Sequence, residues 1–96
     1  MWNYLIATIL GVTAAAAICV TVYYITKKVL EEEVRKYAER KYISGIIKAH
    51  IKAKSYNKVD VILYDKDTYH LTDLSLQAQN SVADDIRQGD WLYVSV

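Results

Sequence analysis

The first 26 residues form one apolar segment in which no charged side chain occurs. A helix over residues 2–26 would be about 37 Å long, enough to cross a hydrocarbon core of about 30 Å. Aromatic side chains stand at both ends with the spacing typical of the two membrane interfaces: Trp2, Tyr4, Tyr23 and Tyr24. The pattern therefore predicts a single transmembrane helix at residues 1–26.

Two other interpretations of this segment are weaker. A cleaved signal peptide needs a positively charged start and a shorter apolar stretch, whereas this sequence begins Met-Trp-Asn-Tyr. A helix buried inside a domain would need a large surrounding shell, which the roughly 70 residues that follow hardly supply.

Basic residues follow the apolar segment at Lys27 and Lys28, and no Lys or Arg precedes it. The positive-inside rule places the more basic flank of a span in the cytoplasm. The predicted localisation is therefore that of a single-pass membrane protein, with its N-terminus outside and its C-terminal domain cytoplasmic.

Small side chains recur every four residues along the predicted span, at Ala7, Gly11, Ala15 and Cys19. Such a stripe lets two transmembrane helices approach closely, although small residues also align by chance. As a helix–helix packing surface, it predicts self-association or a partner membrane protein within the lipid bilayer.

Residues 27–42 contain no helix breaker and are rich in charge. Glu31 and Arg35 are spaced i,i+4 with the acid first, which stabilises a helix. The segment therefore predicts a juxtamembrane amphipathic helix that continues the span.

From residue 43 onward, apolar positions alternate with polar ones, as in Ile-Lys-Ala-His-Ile-Lys-Ala-Lys at residues 47–54. This alternation is typical of a half-buried strand, although the isoleucines also fit a helix. Three further apolar runs separated by turns predict more strands, with Tyr64, Trp91 and Tyr93 in the core. The fold class predicted is α+β: the long helix, then a small antiparallel β domain at residues 43–96. That domain is expected to be an OB-like or SH3-like barrel or an open sheet of four or five strands.

Charge is divided along the chain. Residues 27–58 contain ten Lys or Arg and four Asp or Glu, whereas residues 59–96 contain two and seven. A strand would place four alternating side chains on one face, as a surface for a polyanion or an acidic partner: Lys48, His50, Lys52 and Lys54. Nucleic acid is the less favoured partner, because the acidic distal half leaves the domain without a strongly basic surface.

The sequence contains no recognisable catalytic or cofactor motif. Its three glycines are too dispersed for a phosphate-binding loop. Asp65, Asp67 and His70 could ligate a metal on one loop, but that loop lacks the further carboxylates and the glycine of a calcium site. No enzyme activity, metal, cofactor or small-molecule substrate is therefore predicted.

These features together predict a non-catalytic single-pass membrane protein that is a small structural or accessory subunit of a self-associating membrane assembly. The alternative is a membrane-tethered binding module. Its β domain would bind nucleic acid or an acidic partner through Lys48, His50, Lys52 and Lys54.

Overall fold

Five strands and one helix are formed by residues 18–96, the part of the chain that this computed structural model describes. The strands are β1 (Ile18–Val22), β2 (Ile46–Lys54), β3 (Lys58–Tyr64), β4 (His70–Ala78) and β5 (Trp91–Ser95), and helix α1 (Lys27–Lys41) connects β1 to β2. They make one sheet in the order β1-β4-β3-β2-β5. Strands β1 and β4 are parallel and the other neighbours are antiparallel, so the sheet is mixed.

Strand β1 overturns the prediction of a transmembrane helix at residues 1–26. All of β1 pairs with β4, and Ile25 forms a further bridge to Val82. A residue paired in a β-ladder cannot also belong to a helix, so a helical span cannot extend to Thr26. No helix within residues 18–96 combines the length and the apolarity that crossing a membrane requires. The predictions of a transmembrane helix, of a single-pass protein and of its membrane localisation are therefore wrong.

The sequence of β1, Ile-Cys-Val-Thr-Val, explains why this segment forms a strand. β-Branched residues favour the extended conformation. Ile18, Val20 and Val22 pack against the core, whereas Cys19 and Thr21 on the other face are exposed. This is the period-2 pattern of a half-buried strand. Mean hydropathy over a long window conceals it, because cysteine and threonine barely lower the average.

Helix α1 begins directly after this strand segment. Thr26 is its N-cap, and the Thr26 hydroxyl accepts a hydrogen bond from the Val29 N–H at 3.1 Å. The helix ends at Lys41, and Tyr42 follows in the left-handed conformation with φ of 56°. Thr26 therefore separates a strand from a helix, and the prediction of one continuous helix through residues 1–42 is wrong.

One apolar core lies between α1 and one face of the sheet, which we call the core face. The helix contributes Leu30, Val34, Tyr37 and Ala38. Each of the four strands β2 to β5 contributes alternate buried residues to the same cluster, among them Ile51, Leu63, Leu76 and Val94. The predicted fold class, a long helix followed by a separate antiparallel β domain, is therefore wrong: helix and mixed sheet share one core.

A β-bulge at Lys52 interrupts the alternation of β2. The pairing of β2 with β3 shifts between Ile51 and Ala53, and Lys54 comes to lie opposite the buried Val59. Because directly opposed residues share a face, the bulge places Lys54 on the core face. Its Nζ donates there to two backbone carbonyl oxygens, that of Ile86 at 2.6 Å and that of Ala83 at 3.1 Å.

Candidate functional site

The face of the sheet opposite α1 carries no buried side chain within residues 18–96, and we call it the open face. Every strand contributes to it, because side chains alternate between the two faces of a sheet. It has an aromatic half, centred on β5, β2 and β3, and a polar half, centred on β3, β4 and β1. The candidate site lies here.

Aromatic rings from four neighbouring strands meet on the aromatic half. The ring centroids of His50 and Trp91 are 4.5 Å apart, and those of Tyr64 and Trp91 are 5.5 Å apart. His70 extends the row, with its ring 6.1 Å from that of Tyr64. The strand register produces this row, since His50 pairs with Trp91 and Tyr64 with His70. Together with the neighbouring Tyr93, these four rings are called the aromatic platform below.

The platform contains two residues that the sequence predicts to be in the core. Trp91 is 42% exposed and Tyr93 is 66% exposed, so the core prediction is wrong for both, while Tyr64 is half-buried. The alternating residues Leu92 and Val94 fill the core side of β5 instead. Every position of Trp-Leu-Tyr-Val is apolar, so periodicity alone does not show which alternate set points inward.

Three of the four residues predicted to form a partner-binding face do share the open face. His50 is part of the platform, Lys48 lies beside it and donates from its Nζ to the Thr68 hydroxyl at 3.1 Å, and Lys52 is exposed on the bulge. The described residues provide no acidic partner for Lys52. Lys54 is separated from the other three by the bulge and lies on the core face.

The acidic side chains of the polar half are already engaged. Asp60 accepts a hydrogen bond from the Ser75 hydroxyl at 2.9 Å and lies 3.9 Å from the Lys58 ammonium. Asp73 lies 2.9 Å from Nε2 of His70. A shallow groove of about 310 Å³ runs along this half, lined in part by Lys52, Lys58, Asp60 and Ser75. Both carboxylates thus have a hydrogen-bond partner on the same face, and the side chains of Lys52 and Lys58 are exposed at the groove.

The other predicted site residues lie apart from the open face or outside the described residues. Ala7, Gly11 and Ala15 of the small-residue stripe and Trp2 and Tyr4 of the predicted membrane interface lie outside them. Four others are described near the start of the fold: Tyr23 and Tyr24 are exposed after β1, while Lys27 and Lys28 begin α1. Cys19, the last residue of the stripe, is exposed on the open face of β1.

The loop considered for metal binding is organised as a turn. The Asp65 carboxylate accepts hydrogen bonds from the backbone N–H groups of Asp67 and Tyr69, both at 2.9 Å. Between Ile18 and Val96, no three His, Cys, Asp or Glu side chains are grouped so that they could hold a metal ion. The carboxylate therefore shapes the β3–β4 connection.

Comparisons of the chain with models of known protein families, with curated proteins and with solved structures gave no match.

Proposed function

We propose that this protein is a non-catalytic binding module that holds single-stranded nucleic acid on the aromatic platform of its open face. The observation that carries the proposal is the row of contacting rings across four strands, with Trp91 at its centre. Exposed aromatic rings on a sheet stack on unpaired bases, while neighbouring basic side chains contact the phosphates.

Single strands fit this surface better than a duplex does. The platform lies on the face of the sheet, where a ring can be approached only by a base that is not already stacked on both sides. The basic side chains next to the rings are few, principally Lys48 and Lys52, so base stacking has to supply much of the binding free energy. An acidic peptide would use the lysines and leave the rings without a stacking partner.

This proposal takes up one of the two functions predicted from the sequence, without its membrane tether. The role of a membrane subunit required a helix over residues 1–26, whereas Ile18–Val22 form strand β1. The binding-module alternative keeps Lys48, His50 and Lys52 and gains the rings of Trp91, Tyr64 and Tyr93.

The direct test uses tryptophan fluorescence. Trp2→Phe leaves Trp91 as the only tryptophan of the chain, and stacking of a base on that ring should quench its emission. We expect saturable quenching by an oligothymidylate of about 12 nucleotides, and much weaker quenching by a duplex of the same length. Heparin, a polyanion without bases, is the control. The proposal would be contradicted if heparin displaced the oligonucleotide as effectively as further oligothymidylate does. Absence of quenching by the oligonucleotide would contradict it as well.

Lys52 and Lys54 provide a matched pair of variants, because the bulge places one lysine on the open face of the sheet and the other on the core face. Lys52→Ala should make the slope of log K against log salt shallower by about 0.7, the value for one phosphate of a single strand, with stability unchanged. Lys54→Met should leave that slope unchanged and lower the free energy of unfolding by about 1.5–3 kcal/mol, because two carbonyls lose a charged donor. Oligonucleotide titrations at several salt concentrations and urea denaturation measure the two effects. Identical behaviour of the two variants would exclude this division.

A further inference from the structure

Strand β5 lies at one edge of the sheet that residues 18–96 form, and its pairing with β2 determines which of its backbone groups point outward. The N–H and C=O of Val96 both bond to Gly45, at 2.9 and 3.2 Å, and the Asp90 carbonyl accepts from the Ile51 N–H at 2.9 Å. Hydrogen-bonded and non-hydrogen-bonded pairs alternate along an antiparallel ladder. In the observed register, the backbone groups that turn away from β2 are therefore those of Trp91, Tyr93 and Ser95.

We infer that β5 pairs in antiparallel fashion with β5 of a second copy of this chain, centred on Tyr93. The inference goes beyond the proposed function and does not depend on it. In this register the two Tyr93 residues oppose each other, and Trp91 of each copy opposes Ser95 of the other. All of these residues direct their backbone groups outward, but the Ser95 carbonyl already accepts from Arg35. About four further hydrogen bonds can therefore form while the β2–β5 ladder stays intact: two between the Tyr93 residues and one from each Ser95 N–H to the Trp91 carbonyl of the other copy.

Charged side chains at the two ends of β5 point to a second copy as the occupant of this edge. Arg35 of α1 reaches the Ser95 end, where its Nε donates to the Ser95 carbonyl at 3.2 Å. Asp90 is exposed at the other end, directly before Trp91. Antiparallel pairing centred on Tyr93 brings Arg35 of each copy next to Asp90 of the other. The interface therefore has two equivalent contacts between opposite charges, as a twofold axis requires.

The side chains are compatible with the same register. On the open face the two exposed Tyr93 side chains become cross-strand neighbours, an arrangement that favours aromatic pairs. On the core face the half-buried Leu92 of one copy opposes Val94 of the other. Pairing would thus join the two aromatic platforms into one surface.

The opposite edge of the sheet lacks this charge complementarity. Within residues 18–96, strand β1 is the outermost strand on that side, and no residue from Ile18 to Thr26 carries a charge. The Val22 carbonyl accepts from the Gln79 N–H, so by alternation the backbone groups of β1 that turn away from β4 are those of Cys19 and Thr21. The edge of β1 is therefore the appropriate control for that of β5.

Sedimentation equilibrium of the full chain, from about 1 µM to 1 mM, tests the inference, since an interface of one short strand is small and of modest affinity. We expect a reversible monomer–dimer equilibrium. Tyr93→Pro should remain monomeric, because proline lacks the N–H that points outward and an edge strand tolerates this loss. Thr21→Pro, the control, should dimerise like the unmodified chain. Circular dichroism establishes that both variants are folded.

A charge exchange tests the register itself. Arg35→Asp and Asp90→Arg should each raise the dimer Kd about tenfold, since either change turns two attractions into repulsions. The double variant should return to within about twofold of the original Kd. A monomer at every concentration, a dimer abolished by Thr21→Pro but not by Tyr93→Pro, or a double variant as weak as the single ones would overturn the inference.

Discussion

Replacing Trp91 with alanine is expected to weaken the binding of a single-stranded oligonucleotide about 5- to 150-fold. This range corresponds to the roughly 1–3 kcal/mol that one base–aromatic stack contributes. The effect should be large at this position because the Trp91 ring contacts both His50 and Tyr64, so its loss also leaves those rings without a shared neighbour. Since the variant lacks the fluorescent reporter, anisotropy of a labelled oligonucleotide is the appropriate measurement.

The control for this variant is Tyr56→Ala. Tyr56 is 74% exposed and lies in the turn between β2 and β3, outside the aromatic platform. We expect its removal to leave oligonucleotide affinity unchanged, and Trp91→Phe to retain most of it because a ring remains. Equal losses in Trp91→Ala and Tyr56→Ala would mean that the rings act without a defined site, contrary to the proposal.

Replacing Ile25 with alanine is expected to lower the free energy of unfolding by about 2–5 kcal/mol, the usual cost of truncating a fully buried isoleucine. Ile25 is 0% exposed. Its backbone is fixed on both sides, because its N–H donates to the Ser81 carbonyl at 3.1 Å and its own carbonyl accepts from Ala83 at 2.8 Å. The surroundings therefore cannot collapse easily onto the cavity. Urea denaturation measures the loss.

Tyr23→Ala is the matched comparison, two residues earlier in the chain. The Tyr23 side chain is 68% exposed, so its truncation should change stability by no more than about 0.5 kcal/mol. If residues 1–26 formed one transmembrane helix, truncating Ile25 and truncating Tyr23 would not be expected to differ in this way in their effect on stability. If both variants lose the same stability, or neither loses any, the packing of the segment between β1 and α1 is not as described.

A strand with one apolar and one polar face can be predicted from the sequence. A strand whose two faces differ little in polarity cannot. The alternation of isoleucine and alanine with lysine and histidine predicts a strand at residues 47–54, and β2 confirms it. Residues 18–22 follow an apolar run, so the mean hydropathy over a long window conceals the small difference in polarity between valine and threonine. The parallel pairing of β1 with β4 is a contact between segments distant in sequence, which local periodicity does not report.

The candidate site, like the strands, could be predicted only in part from the sequence. Alternation correctly places Lys48, His50 and Lys52 on one face. It fails at Lys54, because a bulge inserts one residue without a signal in hydropathy. The aromatic platform depends on register between strands: His50 meets Trp91 only because β2 and β5 are neighbours. No pattern within either strand indicates that contact.

The position of β1 in the sheet has a consequence for the order of events during synthesis. Its partner residues, Leu74–Ala78, are made roughly 55 residues later, which takes about 3–11 s at ~5–20 residues per second. During that interval the strands β2 and β3, once made, can form a hairpin next to α1, whereas β4, the strand that pairs with β1 within residues 18–96, has not yet been made. Among the ladders of residues 18–96, that of β1 with β4 joins the segments farthest apart in the chain, so closing its long loop carries the largest entropic cost. A ribosome stalled before β4 should hold a chain whose β1 segment is open to chaperones, and release of β4 should end that exposure.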